Sequence, residues 1–165
     1  MKISTLRFGN IEIEDEEIIF FAEGLLGFEA YHRFVILNNE DGSPFRWLQC
    51  VEDGNLAFVI IEPLNFMFEY NIEISDSDQN FLKLTRAEDA ILYTIVSIPD
   101  NPHDMTANLQ GPLLINAVNR QARQIISSNP HHSVKARILT EMEKRAKKLK
   151  EVQDSLNPDK KEQEG

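Results

Sequence analysis

Short apolar runs separated by turn residues make up most of residues 1–133. The stretches KISTLRF and IEIE alternate between apolar and polar positions on either side of Gly9 and Asn10, and this pattern predicts a β-hairpin. Further extended runs follow in the order EEIIFF, RFVILN, RWLQCV, LAFVIIE, FMFEYNIEI and AILYTIVSI. Strands at spacings of about 8 to 12 residues, with no helical pattern alternating between them, are typical of an all-β barrel or sandwich.

Two local features interrupt this series of strands. Residues 76–84 carry a partial apolar face and could be capped by Ser75 or Asp76, which predicts one short helix, with a turn of irregular structure as the alternative. LLINAV and RQIIS, joined through Asn119 and Arg120, predict a second hairpin. One short helix among many strands leaves the all-β assignment unchanged.

The stretch TANLQGPLLIN, residues 106–116, resembles a strand entered through a Gly-Pro turn. It carries two asparagines but no acid, base or thiol. We expect Asn108 and Asn116 to satisfy turn and backbone groups at the ends of an internal strand, because a buried amide needs partners and a hairpin end supplies them. The alternative interpretation is that the strip contacts a partner.

The hydrophobic period changes after residue 133. Ile138, Met142, Leu149, Val152 and Leu156 lie at spacings of three, four and seven, which predicts an amphipathic helix from Val134 with Ser133 as its N-cap. The sequence thus predicts a small antiparallel β-barrel-like domain over residues 1–133, a C-terminal amphipathic α-helix over 134–156 and a disordered tail over 157–165. Two interpretations of the helix stay open: it docks on the barrel, or it meets a partner.

Charge separates the body of the chain from its end. Residues 1–133 hold 20 of the 27 acids and 8 of the 17 bases, a balance of −12, whereas residues 134–165 carry +2. A body with this charge repels phosphates and attracts basic partners, so it is not expected to bind nucleic acid directly. The alternative reading is that the acids only keep the protein soluble.

The sequence shows no recognisable motif for catalysis or for metal binding. The four histidines show none of the spacings typical of metal sites, and neither a GxSxG elbow nor a glycine-rich phosphate loop is present. The single cysteine, Cys50, lies in an apolar run and reads as a small buried residue. We therefore expect no enzyme activity, no metal and no cofactor. Without a signal peptide or an apolar stretch of about 20 residues, we expect a cytoplasmic protein that does not bind membranes.

A protein of this kind is expected to bind another macromolecule, and EPLNFMFEYNIEI is the segment chosen for the contact. If it forms a strand, its aromatic residues lie on one face, with Glu69 on the other, and an edge strand could accept a partner strand. The candidate partner-binding residues are Glu62, Phe66, Phe68, Glu69 and Tyr70, together with Ile138, Met142 and Leu149 of the helix. Core packing of the aromatics is the alternative.

Four ordered blocks carry a family resemblance. FAEGLLGFE, PFRWLQ, LAFVIIEP and TANLQGPLLIN, the last followed by RQII, resemble the flagellar assembly factor FliW family from about residue 8 to residue 126. The resemblance implies a small β-barrel-like protein that is not an enzyme. It also implies binding to the translational regulator CsrA, relief of CsrA repression of flagellin mRNA, and flagellin as the competing partner.

Two other functions stay open at this stage. One is a small-molecule-binding β-barrel with a site around His103, Asn108 and Asn116, which would require a closed polar pocket. The other is a chaperone for flagellin alone, in which the acidic body is incidental.

Overall fold

The structure, a computed structural model, describes residues 1–156, and the predicted disordered tail at 157–165 lies outside the described residues. This part of the chain forms eleven strands and two α-helices. The strands are β1 (Lys2–Thr5), β2 (Gly9–Glu12), β3 (Ile19–Phe21), β4 (Arg33–Asn38), β5 (Arg46–Cys50), β6 (Ala57–Ile61), β7 (Ala90–Ser97), β8 (Thr106–Ala107), β9 (Leu113–Asn116), β10 (Gln121–Gln124) and β11 (Ala136–Arg137). The helices are α1 (Asp76–Leu82) and α2 (Ile138–Leu156).

Seven of these strands close a barrel in the order β7-β6-β5-β4-β3-β10-β9, with β9 pairing back onto β7. Six of the seven pairings are antiparallel and the pairing of β3 with β10 is parallel. The predicted β-barrel with a C-terminal helix is therefore confirmed. The parallel pair was not predicted, yet it is unavoidable, because strand directions cannot alternate all the way around a closed ring of seven.

The interior of the barrel is filled with apolar side chains. Its fully buried residues include Phe21, Phe34, Leu48, Ile60 and Leu113, and the rings of Phe21 and Phe34 meet edge to face at 5.4 Å. Buried aromatic rings contribute much of the apolar area that stabilises a small core. The barrel is therefore a packed core rather than a container for a ligand.

The local predictions for hairpins and for the short helix are confirmed. β1 pairs with β2 and β9 pairs with β10. The turn of the first hairpin lies at residues 6–8, so Gly9 and Asn10, which were predicted to form it, are the first two residues of β2. Helix α1 begins after Ser75, whose hydroxyl oxygen accepts a hydrogen bond from the Asp78 N–H. Lys83, with a φ of 54°, ends the helix in the left-handed conformation.

The predicted strand FMFEYNIEI is wrong. Residues 62–75, which we call the cover segment, begin with a single helical turn at Pro63–Asn65 and continue without strand structure over the outside of the barrel. The Met67 N–H bonds back to the Pro63 carbonyl, so the chain turns away directly after β6. Both edges of β6 are occupied, by β5 and β7, and no free edge is left beside it for these residues to pair with.

The predicted start of the C-terminal helix is also wrong. Residues 136–137 form β11, which pairs with β8 at the end of the extended sheet, and the helix begins only at Ile138. Ser133 does not cap it, because its hydroxyl oxygen accepts a hydrogen bond from the Lys135 N–H inside the preceding loop. Pairing with β8 gives Ala136 and Arg137 backbone partners that a first helical turn would leave unsatisfied.

Candidate partner-binding site

The structure brings together the two segments that the sequence singled out separately. Phe66 and Tyr70 of the cover segment share one buried cluster with Ile138, the first residue of α2, and Met142 packs against that cluster. Phe66 and Ile138 are completely buried and Tyr70 is 7% exposed. These three residues therefore hold the cover segment and the base of α2 against the barrel, as the core-packing alternative expected for the aromatics.

Tyr70 ties three parts of the chain together. Its hydroxyl donates a 2.6 Å hydrogen bond to the Leu109 carbonyl, and its ring stacks on His132 with the ring centroids 4.6 Å apart. Burial raises the pKa of Tyr70 to about 12, so this hydroxyl remains a donor at neutral pH. The cover segment, the loop before β9 and the loop before β11 are thereby linked around one ring.

His132 completes this network. Its Nδ1 shares a hydrogen bond with the Ser127 hydroxyl, which also accepts the Asn129 N–H. Burial, and to a smaller extent the neighbouring charge of His131, lowers the pKa of His132 below its ordinary value. The neutral imidazole is thus the form that this packing favours.

The exposed candidates line a cleft between the cover segment and α2. Phe68 is 40% exposed, and the Lys148 ammonium lies 5.3 Å from the centre of its ring. Glu69 is exposed and accepts a hydrogen bond from the Asn71 amide, while Leu149 lies on the exposed face of α2. The cleft has a volume of about 230 Å³ and is lined by Met67, Phe68, Glu69, Glu141, Lys144, Arg145 and Lys148.

Glu62 lies at the other end of the cover segment, beside a mouth of the barrel. It lines a second cavity of about 310 Å³ together with Leu64 and the first residues of β7. Burial raises the pKa of Tyr93, the Arg46 guanidinium opposes that rise and the Glu62 carboxylate adds to it. Arg46 donates a 2.9 Å hydrogen bond to the Tyr93 hydroxyl. Glu62 and Glu69 are thus two acidic residues of the cover segment, one at its start and one near its middle.

The asparagines of TANLQGPLLIN have the structural role that we predicted. The Asn108 side-chain oxygen accepts hydrogen bonds from the N–H groups of Gln110 and Gly111. The Asn116 amide donates to the carbonyls at the end of α1, and its oxygen accepts the Val118 N–H. His103 is exposed in a separate loop. These contacts give no support to a ligand site around the three residues.

Sequence reasoning missed an apolar surface at the end of the barrel. The loop FAEGLLGFE folds across this end, leaving Leu26 64% and Phe28 37% exposed. With Phe58, Ile95 and other residues they line a cavity of about 250 Å³. The adjacent leucines between Gly24 and Gly27 were the available signal, because two neighbouring side chains rarely point into the same core: Leu25 is buried and Leu26 is exposed.

Two negative findings apply to residues 1–156. No group of three or more His, Cys, Asp or Glu side chains in this range lies close enough together to hold a metal ion. No helix in the same range is both long and apolar enough to cross a bilayer.

Most of the acidic side chains of the body have no ion-pair partner in the described chain. Of the 20 acids in residues 1–133, only Glu23, Asp78, Glu88 and Asp104 form ion pairs there. Five others fall within residues 12–17, where a single helical turn begins with an acidic capping box. The negative charge of the body is therefore largely uncompensated by close contacts.

Residues 2–138 match the family model described as FliW protein. The chain is 41% identical over 142 residues to the flagellar assembly factor FliW of Leptospira biflexa serovar Patoc (strain Patoc 1 / Ames), covering 86% of this chain and 93% of that protein. It is 43% identical over 145 residues to the flagellar assembly factor FliW of Alkaliphilus metalliredigens (strain QYMF), covering 87% of this chain and 90% of that protein.

A solved structure gives the same result in three dimensions. The crystal structure of a flagellar assembly factor FliW superposes with a TM-score of 0.78 at 38% identity, covering 84% of this chain and 96% of that chain. Because both sequence and fold match over most of the length, this chain belongs to the FliW family.

Proposed function

We propose that this protein acts in flagellar assembly by binding the RNA-binding translational regulator CsrA and relieving its repression of flagellin mRNA, with flagellin as the competing partner. The observation that carries the proposal is membership of the FliW family, since the similar curated proteins are named flagellar assembly factors. When flagellin accumulates it occupies this protein, the regulator is released and synthesis stops. The switch takes place in the cytoplasm, where mRNA is translated.

The negative charge of residues 1–133 supports the proposal that this protein antagonises an RNA-binding regulator. A protein that binds RNA presents Lys and Arg to phosphate, and an acidic protein docked nearby lowers the positive potential of that surface. Residues 1–133 carry a balance of −12, and within the described chain only four of their acids form ion pairs. Antagonism therefore does not require the acidic body to cover the RNA-binding residues.

We assign the regulator to the acidic cover segment. Glu62, Phe68 and Glu69 are accessible and combine two carboxylates with an exposed ring, a combination suited to a cationic partner. Phe66, Tyr70 and Ile138 support this surface from below, and Met142 of α2 packs against the same cluster. Leu149 lies further along α2 and is not among the residues that line the cleft. In this assignment the buried aromatics position the surface rather than touch the partner.

A competition titration tests the function. Purified protein is titrated with CsrA and with flagellin separately, and the complex with CsrA is then titrated with flagellin. Binding to each partner, with flagellin displacing CsrA, is the expected result. Binding to flagellin alone would instead support the chaperone alternative, and binding to neither would refute the proposal.

A charge-reversal pair tests the assignment of the surface. Glu62→Lys with Glu69→Lys should weaken CsrA binding more than Glu12→Lys with Glu14→Lys, which changes net charge equally at another acidic site. Calorimetry measures both affinities, and thermal melting confirms that both variants are folded. Equal losses would show that only net charge matters and would remove the reason for choosing the cover segment.

A further inference from the structure

Only the first residues of α2 pack into the buried core, and basic side chains further along the helix border the cover segment. Ile138 is fully buried and Met142 packs against the same cluster, but the apolar residues that follow are increasingly exposed. Leu149 is 44% exposed, Val152 47% and Leu156 77%. We call residues 144–156 the outer half of α2. Within residues 1–156, no core cluster includes an apolar side chain of this outer half.

The exposed apolar residues form a stripe along one face of α2, with Arg145 among them. Met142, Leu149 and Leu156 are seven residues apart, and Val152 follows Leu149 by three, so all four lie on one face of the helix. Met142, at the base of this face, is half-buried, and the stripe continues past it into solvent. A stripe of this kind normally contributes to stability by packing against a neighbour, since helical stability in proteins comes mainly from such contacts.

Positive charge lies on this face of the helix and beside it, in a protein whose body is strongly negative. The outer half holds five basic side chains, all within residues 144–150, and its two acids, Glu151 and Asp154, lie with Lys147 on the opposite face. Lys144 pairs with Glu141 and Lys148 lies over Phe68, whereas Arg145, Lys147 and Lys150 form no ion pair within residues 1–156. A partner that matches this face has an apolar stripe bordered by carboxylates.

Two other occupants fit less well. A second copy of α2 aligned in parallel would bring the two sets of lysines together, and like charges on facing helices repel. An anionic membrane would approach the acidic body as well as the helix, and the stripe carries no aromatic residue of the kind that anchors helices in lipid. A single partner helix can instead contact the outer half without contacting the acidic body. The end of α2 lies about 20 Å beyond Met142, and over a distance longer than the Debye length the negative charge of the body is screened.

We propose that the outer half of α2 docks an acidic amphipathic helix of a partner protein. Leu149, Val152 and Leu156 pack against the apolar stripe of that helix, and Arg145 and Lys150 meet its carboxylates. For the identity of the partner this inference rests on the proposed function: the acidic cover segment receives the cationic regulator, and the basic outer half receives the competing partner. The family model ends at residue 138, so the outer half lies beyond the matched region.

Two synthetic peptides test the surface directly. Both are about 20 residues long and helical, with leucines at a and d heptad positions; one carries Glu at the flanking positions and the other carries Lys. Fluorescence anisotropy with the full-length protein should show binding of the Glu peptide and at least about tenfold weaker binding of the Lys peptide. Equal affinity for the two peptides, or no binding of the Glu peptide, would overturn the proposal.

Matched variants locate the contact. Leu149→Asp with Val152→Asp should weaken binding of the Glu peptide by at least about tenfold, since both side chains are on the stripe. Leu6→Asp with Val118→Asp is the control, because it changes another exposed leucine and valine, in turns of the β-barrel domain. Equal losses in the two variants would contradict the proposal. Circular dichroism verifies that both proteins are folded.

The same variants separate this inference from the proposed function. Loss of flagellin binding with CsrA binding kept would support the assignment of the two surfaces. If the wild-type protein binds neither flagellin nor CsrA, the proposed function is refuted. The peptide assay would still test whether the outer half is a docking surface. A different outcome would overturn the proposal in favour of a second copy or a membrane. In that case the wild-type protein self-associates or binds phosphatidylglycerol vesicles, binds neither peptide, and loses the self-association or vesicle binding in Leu149→Asp with Val152→Asp.

Discussion

Gly24 is the residue that lets the loop between β3 and β4 fold back across the end of the barrel. Its φ is +66°, and a Cβ placed on it would lie 2.7 Å from both the Glu29 Cα and the Phe28 carbonyl oxygen. Gly9 has the same φ of +66°, but a Cβ there would meet nothing within 4 Å. The two positions differ only in the space around them.

We expect Gly24→Ala to destabilise the protein by about 2 to 4 kcal/mol, because a left-handed conformation and an overpacked backbone both carry a cost. Gly9→Ala should cost about 1 to 2 kcal/mol, the conformational part alone. Urea denaturation measures both free energies of unfolding. Similar losses in the two variants would show that the loop moves to accommodate the methyl group.

His132 makes stability depend on pH in a predictable direction. Its pKa is lowered from the ordinary value of 6.5, so the folded protein binds fewer protons than the unfolded chain as the pH falls below that value. The stability that this lowered pKa contributes is fully present above pH 6.5. It is lost as the pH falls through the pKa of His132 in the folded protein. In His132→Gln, which cannot titrate, the free energy of unfolding should decrease less between pH 7.5 and pH 5 than in the wild type.

The control for this comparison is His103→Gln, which removes another imidazole from an exposed loop. Subtracting the profile of each variant from that of the wild type cancels the contribution of the many carboxylates. A difference profile for His132→Gln that is flat with pH would mean that the packing against Tyr70 tolerates the imidazolium.

At the scale of elements, α2 combines a structural base with an exposed outer half. Ile138 is fully buried in the cluster that also holds Phe66, whereas Leu149 is 44% exposed on the same helix. Removing side-chain atoms from a packed core leaves a cavity, and removing them from an exposed stripe does not.

We therefore expect Ile138→Ala to destabilise the protein by about 2 to 5 kcal/mol. Leu149→Ala should change stability by less than about 1 kcal/mol, as is usual at the surface. Chemical denaturation distinguishes the two. A large loss for Leu149→Ala would indicate that the outer half packs on the barrel in solution, and would weaken the case for a docking surface there.

At the scale of the whole molecule, the uncompensated charge of the body predicts a specific response to salt. If the field of the body displaces RNA from CsrA, rising salt from about 50 to 300 mM should weaken displacement strongly, because the Debye length shortens. Docking of the two proteins should weaken less, because the exposed apolar surface contributes to it. Displacement and docking are titrated in parallel, and equal salt slopes would remove the electrostatic mechanism.

Much of the fold was predictable because its signals are local. The hairpin of β1 and β2, the cap at Ser75 and the apolar runs of β5 and β6 each depend on signals within about ten residues, and the structure contains all three. The ordered sequence blocks were sufficient to identify the family.

The errors came from competition between elements. The cover segment has the period-two pattern of a strand, but β5 and β7 pair with the two edges of β6 and leave no free edge beside it. Residues 136–137 fit a helical pattern, yet they pair with β8 instead. Such outcomes depend on which partners are free in the folded chain, and no local window contains that information.

The amino-acid sequence by itself determined the strand-rich character, the separation of charge and the amphipathic helix, because composition and periodicity are properties of neighbouring residues. Tertiary structure decided that the cover segment and the base of α2 pack together, which candidate residues are buried, and that the outer half of α2 remains exposed. The physical reason is that burial depends on the closure of the barrel, which joins strands more than 80 positions apart in the chain, as in the pairing of Phe20 with Gln121.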